Sequence, residues 1–120
     1  MAKRVCVIED DELQRQALAL TLREAGYEVL EADDGDVGID LVRRERPDVV
    51  ITDILMPKTE GIETIQKIRA LSPDIRIVAI SGGGRVSLEL NLNLARQFGA
   101  HACLSKPIAK AKLCAAIEGA

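Results

Sequence analysis

Several apolar runs in this chain end in a side chain able to hold a cation or carry a charge. Residues 5–8, Val-Cys-Val-Ile, lead straight into Glu9-Asp10-Asp11. Residues 49–52 lead into Asp53, residues 75–80 into Ser81, and residues 101–104 into Ser105-Lys106. Carboxylates brought to one place cannot all stay ionised without a compensating cation. A hard divalent ion meets that need. Mg²⁺ suits the set, because it takes one or two carboxylates, keeps waters and binds phosphate oxygens. An acceptor carboxylate, a metal, an ammonium and a hydroxyl donor are the parts of a phosphoryl transfer, which depends on positioning and on neutralising oxygen charge. A carboxylate can itself be the nucleophile and carry the group as an aspartyl phosphate.

These residues need a scaffold that brings them to one edge. Short β-rich runs alternate with helical patterns along the whole chain. Strands are predicted over residues 4–8, 27–31, 49–53, 75–80 and 101–105. Asp11 or Asp10 caps a first helix, with Leu13, Ala17 and Leu20 on its inner face and Gly26 as its stop. Asp34-Gly35 starts a second helix running to about Glu45. The loop at residues 56–61, marked by Pro57 and Gly61, precedes a third, with Ile62, Ile65 and Ile68 inward, ended by Ser72-Pro73. Residues 87–98 read as a fourth helix, although Leu88, Leu90, Leu92 and Leu94 recur with a period of two. Lys106-Pro107 opens the fifth, with Ile108, Leu113 and Ile117 inward.

Five strands alternating with five helices imply a parallel sheet covered on both faces. The alternation is unbroken, so one domain is expected over residues 1–120. In such sheets ligands sit outside the carboxyl ends of the strands, which is where Glu9, Asp10, Asp53, Ser81 and Lys106 fall.

With those residues in that order, the chain resembles the receiver domains of two-component response regulators. The matching elements are residues 7–11 at the first strand end, residues 53–57 at the third, Ser81-Gly82 at the fourth and Lys106-Pro107 at the fifth. Gly61 and Gly99-Ala100 also fall where the family has them, and the likeness covers essentially the whole chain. The resemblance implies a flavodoxin-like α/β fold with strand order 2-1-3-4-5. It implies that Asp53 is the phosphoacceptor and that Asp10 ligates Mg²⁺ directly. Glu9 would act on the metal through water, and the backbone carbonyl of Leu55 would be a further ligand. Ser81 would hydrogen-bond the phosphoryl group and Lys106 would pair with it, next to a cis Lys106-Pro107 peptide. The donor would be a sensor histidine kinase or a histidine phosphotransfer protein. The signal would pass through Ser81 to the surface of the fourth helix, fifth strand and fifth helix, toward a downstream target or a homodimer partner.

Three features depart from the family pattern. Cys103 stands three before the lysine, where receivers usually carry Tyr or Phe. The segment from Ser81 to Gly99 is a few residues longer than usual and begins Gly82-Gly83-Gly84. Leu55 and Gly83, two past the acceptor and the hydroxyl, cannot hydrogen-bond a hydrolytic water, which implies slow intrinsic dephosphorylation.

Composition narrows the alternatives. The 120 residues carry a net charge of −3, which gives no electrostatic footprint for nucleic acid. Tyr27 and Phe98 are the only aromatics, so base stacking has no platform. Cys6, Cys103 and Cys114 are few and widely spaced, which fits a reducing, cytoplasmic setting rather than a disulfide framework. No signal-peptide core and no membrane span is expected. His101 and Cys103 have no further ligands at zinc spacing, and Gly82-Gly83-Gly84 lacks the Lys-Ser/Thr of a P-loop. Two other functions compete with a switch that is not an enzyme beyond its own phosphorylation and slow dephosphorylation. One is an Mg²⁺-dependent phosphohydrolase with Asp53 as nucleophile, against which Leu55 occupies the usual place of a second aspartate. The other is a phosphate-independent interaction module, which Cys103 keeps open. No output domain is seen in the sequence; a stand-alone receiver and one cut from a larger regulator are equally compatible with it.

Overall fold

Strands form where the apolar runs lie, and their exposure follows their place in the sheet. The computed structural model describes residues 3–54, 61–81, 93, 96–97 and 99–119. β1 (Arg4–Ile8), β2 (Glu28–Ala32), β3 (Val49–Asp53), β4 (Arg76–Ser81) and β5 (Ala102–Ser105) make one sheet in the order β2-β1-β3-β4-β5. Every neighbouring pair is parallel. The three inner strands are buried almost throughout, as a sheet covered on both faces requires. The edge strands β2 and β5 are mostly half-buried.

Successive side chains of a strand point to opposite faces, and the core divides accordingly. Cys6, Ile8, Val50, Ile77 and Ala79 pack with Ile39 and Val42 of α2 (Gly35–Glu45) and Ile65 and Ile68 of α3 (Gly61–Leu71). Val5, Val7, Val49, Ile51, Val78 and Ile80 pack with Leu22 of α1 (Glu12–Glu24) and Leu113, Ala116 and Ile117 of α4 (Lys110–Glu118). The expected doubly wound arrangement and strand order are therefore present. Four helices are bounded among the described residues. Of the helix expected over residues 87–98, Asn93, Arg96 and Gln97 are described and all three are helical. The alternating leucines 88, 90, 92 and 94, the glycines 82–84, Gly83 included, Leu55 and the loop at 56–60 lie outside the described residues.

Two expectations are corrected. The first concerns the inner face of α1. Leu13 is 78% exposed and Leu20 59%, and Ala17 is exposed too. The buried stripe is Ala19 and Leu22, with Leu18 against the same core. Both stripes have helical spacing, so periodicity alone does not choose between them. Arg15 decides the rotation: its guanidinium reaches the Glu9 carbonyl oxygen at 3.2 Å and Glu31 Oε1 at 3.4 Å, both at the sheet. Asp11 is the cap, accepting from the Gln14 backbone N–H at 3.0 Å. Gly26, at φ +99°, carries the chain from α1 toward β2 in a backbone state that favours glycine.

The second correction is the start of the last helix. It begins at Lys110, not at Lys106-Pro107. The backbone N–H of Lys106 donates to Ser81 O at 2.9 Å, which holds residue 106 in register with the sheet. Ala109 is still extended at the helix N-cap. The Lys106-Pro107 peptide is cis, as the resemblance implied. At the opposite end of the sheet the two chain ends meet: Lys3 pairs with Glu118 at 3.0 Å, and Tyr27 donates to Glu118 Oε2 at 2.7 Å.

Candidate functional site

β1 runs into Glu9, whose side chain is 1% exposed despite its charge. The backbone fixes it. Glu9 N–H donates to Ala32 O at 3.0 Å, and Asp11 N–H donates to Glu9 Oε2 at 3.1 Å. Asp10, the next residue, is exposed and its carboxyl group lies close enough to Glu9 to raise the Glu9 pKa. β3 ends in Asp53, 4% exposed, held beside β4 by the Ile54 N–H to Ile80 O bond at 3.0 Å. β4 ends in Ser81, fully buried, whose Oγ has no hydrogen-bond partner among the described residues.

Lys106 closes the set from beyond β5. Its Nζ lies 2.7 Å from Glu9 Oε1 and 2.8 Å from Asp53 Oδ2, and it also contacts Gln14 Oε1 on α1. By strand parity Glu9 and Asp53 belong to the face covered by α1 and α4. That is why a lysine and a glutamine from that side reach them. Burial raises the Glu9 carboxyl to about 7, helped by Asp10 and Asp53, against the lowering effect of Lys106 and the Asp11 N–H. For Lys106, burial works downward, but the hydrogen bonds and charges of Asp53 and Glu9 outweigh it and hold the ammonium above its ordinary pKa. The rim thus gathers more negative than positive charge in a poorly solvated place.

Glu9, Asp53 and Lys106 are brought into direct contact, Asp10 borders them through Glu9, and Ser81 ends the neighbouring strand. Among the described residues, no group of three or more His, Cys, Asp or Glu side chains is gathered closely enough to cage a metal. The Lys106 ammonium is the cation that lies between the two buried carboxylates. The donor set does fit Mg²⁺ in kind, being carboxylate oxygens at the mouth of a sheet. The orphaned Ser81 Oγ fits a phosphoryl oxygen, because a buried hydroxyl without a partner is costly until one arrives.

The sequence reading missed Gln14, whose role depends on how α1 is rotated. Its one signal was its place three residues after the Asp11 cap. Beside it, a groove of about 540 Å³ is lined by Gln14, Leu18, Thr21, Lys106, Ile108 and Leu113, among others. Away from the site, His101 Nδ1 accepts the Ile77 N–H at 3.0 Å and lies near Arg69, so it is a strand-edge residue. Cys6 is a buried apolar thiol, pushed up to about 12 by burial.

Comparison with known proteins agrees with this geometry. The family model for the response regulator receiver domain matches residues 5–118. The transcriptional regulatory protein PdtaR of Mycobacterium tuberculosis is 38% identical over 119 residues, covering 97% of this chain and 55% of that protein. Response regulator MprA of Mycolicibacterium vanbaalenii is 33% identical over 115 residues, covering 96% and 48%. Among solved structures, a response regulator receiver domain from Clostridium thermocellum superposes with a TM-score of 0.90 at 31% identity, over 99% of this chain and 93% of that one. The CheY-like receiver domain protein from Methanospirillum hungatei gives 0.89 at 25% identity, over 99% and 93%.

The chain belongs to the response regulator receiver domain family.

This receiver spans about half the length of the curated relatives it matches. Receivers are, in general, signalling modules rather than enzymes. No helix among the described residues is long and apolar enough to cross a membrane. Where receivers usually place an aromatic, Cys103 is half-buried against the α2/α3 side of the core and hydrogen-bonds Arg96. Burial raises its thiol pKa, with Arg96 working the other way.

Proposed function

We propose that residues 1–120 form a phosphorylation switch in a two-component system, with Asp53 as the phosphoacceptor. The observation that carries this is the placement of the Lys106 ammonium 2.8 Å from Asp53 Oδ2. It joins a buried acid and a cation 53 residues apart at the carboxyl rim of a parallel sheet.

The chemistry follows from that placement. A carboxylate oxygen of Asp53 attacks the phosphorus of a phosphohistidine on a sensor kinase or phosphotransfer protein. The phosphorus–nitrogen bond breaks, and its electron pair stays with the imidazole, which takes up a proton from solvent. Lys106 then follows a phosphoryl oxygen, and Ser81 Oγ gains the acceptor it lacks. Glu9, Asp10, Asp53 and the backbone carbonyl of Leu55, itself outside the described residues, would hold Mg²⁺. When bound, the metal neutralises oxygen charge on the transferring group.

The donor is best placed on α1. Leu13, Ala17 and Leu20 form an exposed apolar strip on the helix that also carries Gln14 to Lys106. An exposed apolar strip bordering a reactive site suits a protein partner. Downstream, the new charge on Asp53 biases a two-state surface formed by the expected fourth helix, β5 and α4, toward a target protein or a homodimer. The setting is cytoplasmic, with no direct role for nucleic acid or membrane.

Exposure to acetyl phosphate, or to beryllofluoride, with Mg²⁺ tests the reading. Stoichiometric modification of the wild-type protein that vanishes in Asp53→Asn supports the switch. Sustained phosphate release would instead favour a phosphohydrolase. No response at all would favour a phosphate-independent module, the reading that Cys103 keeps open.

A further inference from the structure

We propose that Gln14 is a positioning residue for the switch: its side-chain amide oxygen holds the Lys106 ammonium in place over Asp53. The inference rests on the receiver reading and deepens it.

An ammonium has three hydrogens to give and accepts none. In this structure Glu9 Oε1, Asp53 Oδ2 and Gln14 Oε1 are its three acceptors. Two of them are buried carboxylates that pull on the same charge from different strands. Gln14 is neutral, so it takes the third hydrogen without adding a negative charge to a rim already rich in them. It comes from the first turn of α1, where its backbone N–H donates to the Asp11 side chain at 3.0 Å. Without it the third hydrogen turns to water, and the long lysine stem is free to rotate about its remaining contacts. The phosphoryl group would then meet an ammonium that must first be re-aimed.

Gln14→Met tests this, since it keeps the length of the side chain and loses the amide oxygen. Gln14 is exposed, so folding is not at stake. Two measurements are compared with wild type: the rate of phosphorylation by acetyl phosphate with Mg²⁺ as donor concentration is varied, and the ¹⁵N signal of the Lys106 ammonium, which survives only where hydrogen bonds slow exchange. Losing one bond to a charged group should lower the maximal rate by about five- to tenfold, with the half-saturating donor concentration unchanged. The Lys106 ammonium signal should weaken or vanish, while backbone signals of the sheet stay in place. An unchanged ammonium signal in Gln14→Met overturns the proposal, whatever the rate does. If the wild type itself takes no phosphoryl group, the receiver reading fails, and the ammonium comparison still decides the tether.

Discussion

Gly38 of α2 lies so close over Ile8 of β1 that a Cβ on it would fall 2.2 Å from Ile8 Cδ1 and 2.6 Å from Ile8 Cγ1. Ile8 is fully buried and directly precedes Glu9, so it has little room to give way. Gly38→Ala should therefore destabilise the protein although alanine is the better helix former. Overpacking costs about 1–3 kcal/mol, against a propensity gain of about 1 kcal/mol. Adding Ile8→Val removes the nearer clashing atom and should recover part of the loss. Urea midpoints of the single and double variants measure this; a Gly38→Ala protein as stable as wild type would refute it.

Lys106 neutralises two carboxylates that are 1% and 6% exposed in their side chains. Lys106→Met leaves both without it and should cost about 3 kcal/mol of unfolding free energy near neutral pH, the low end for a broken buried pair because the lysine is partly exposed. Millimolar Mg²⁺ should return part of that loss, and raise the melting temperature of Lys106→Met by more than that of wild type. Equal Mg²⁺ responses in the two proteins would argue that the metal does not share the space of the ammonium.

His101 gives a pH dependence whose sign is fixed by its surroundings. Burial lowers its pKa from 6.5, and the Arg69 and Arg76 charges lower it further. Its neutral Nδ1 accepts the Ile77 N–H. Above 6.5 the ring is neutral in both the folded and unfolded states, and the contribution is fully present. As pH falls below that value the unfolded chain takes up the proton first. Stability is then lost until pH passes the lowered folded value, where the loss levels off. His101→Asn, which can keep an oxygen toward Ile77, should lose less stability than wild type between about pH 8 and about pH 5. Parallel curves for the two proteins would exclude His101 as the source.

Leu13 and Leu20 are exposed and belong to neither core cluster of the described residues. Changing both to Asp should reduce transfer from a phosphohistidine protein by about tenfold or more, because two unpaired carboxylates would have to be desolvated at the contact. Phosphorylation by acetyl phosphate and the melting temperature should stay as they were. A loss of both donor reactions together would instead point to damage at the rim.

The phosphorylated protein should be long-lived. By the family resemblance, Leu55 falls two residues past the acceptor, at a position where a polar side chain would orient the hydrolytic water, and Leu55→Asn should shorten the lifetime by about threefold or more. A wild-type lifetime of seconds without a phosphatase would contradict this.

How much of this was legible beforehand differs from residue to residue. Glu9, Asp53, Ser81 and Lys106 could be read because each follows an apolar run, and strand ends in a parallel sheet share one edge. The rotation of α1 could not, because residues 13, 17 and 20 and residues 18, 19 and 22 both make helical stripes. Arg15 reaching the Glu9 carbonyl and Glu31 settles it, and those are tertiary contacts. Gln14 was hidden for the same reason. The late start of α4 was hidden by the Lys106–Ser81 backbone bond, which extends the sheet where proline suggested a helix. The lack of a partner at Ser81 Oγ depends on the whole neighbourhood and has no local sequence signal.

The pairing of Lys3 with Glu118 brings the two ends of the described chain together. Lys3 and Glu118 meet at the pole facing away from Asp53, about 15 Å below it along strands of five residues. A module fused at either end would hang near the Lys3–Glu118 pair, at the pole opposite the Glu9–Asp53–Lys106 cluster. The same closeness would let a short linker join the two ends. The chain could then be reopened at the α2–β3 turn, preserving each strand's neighbours while changing the order in which they are made.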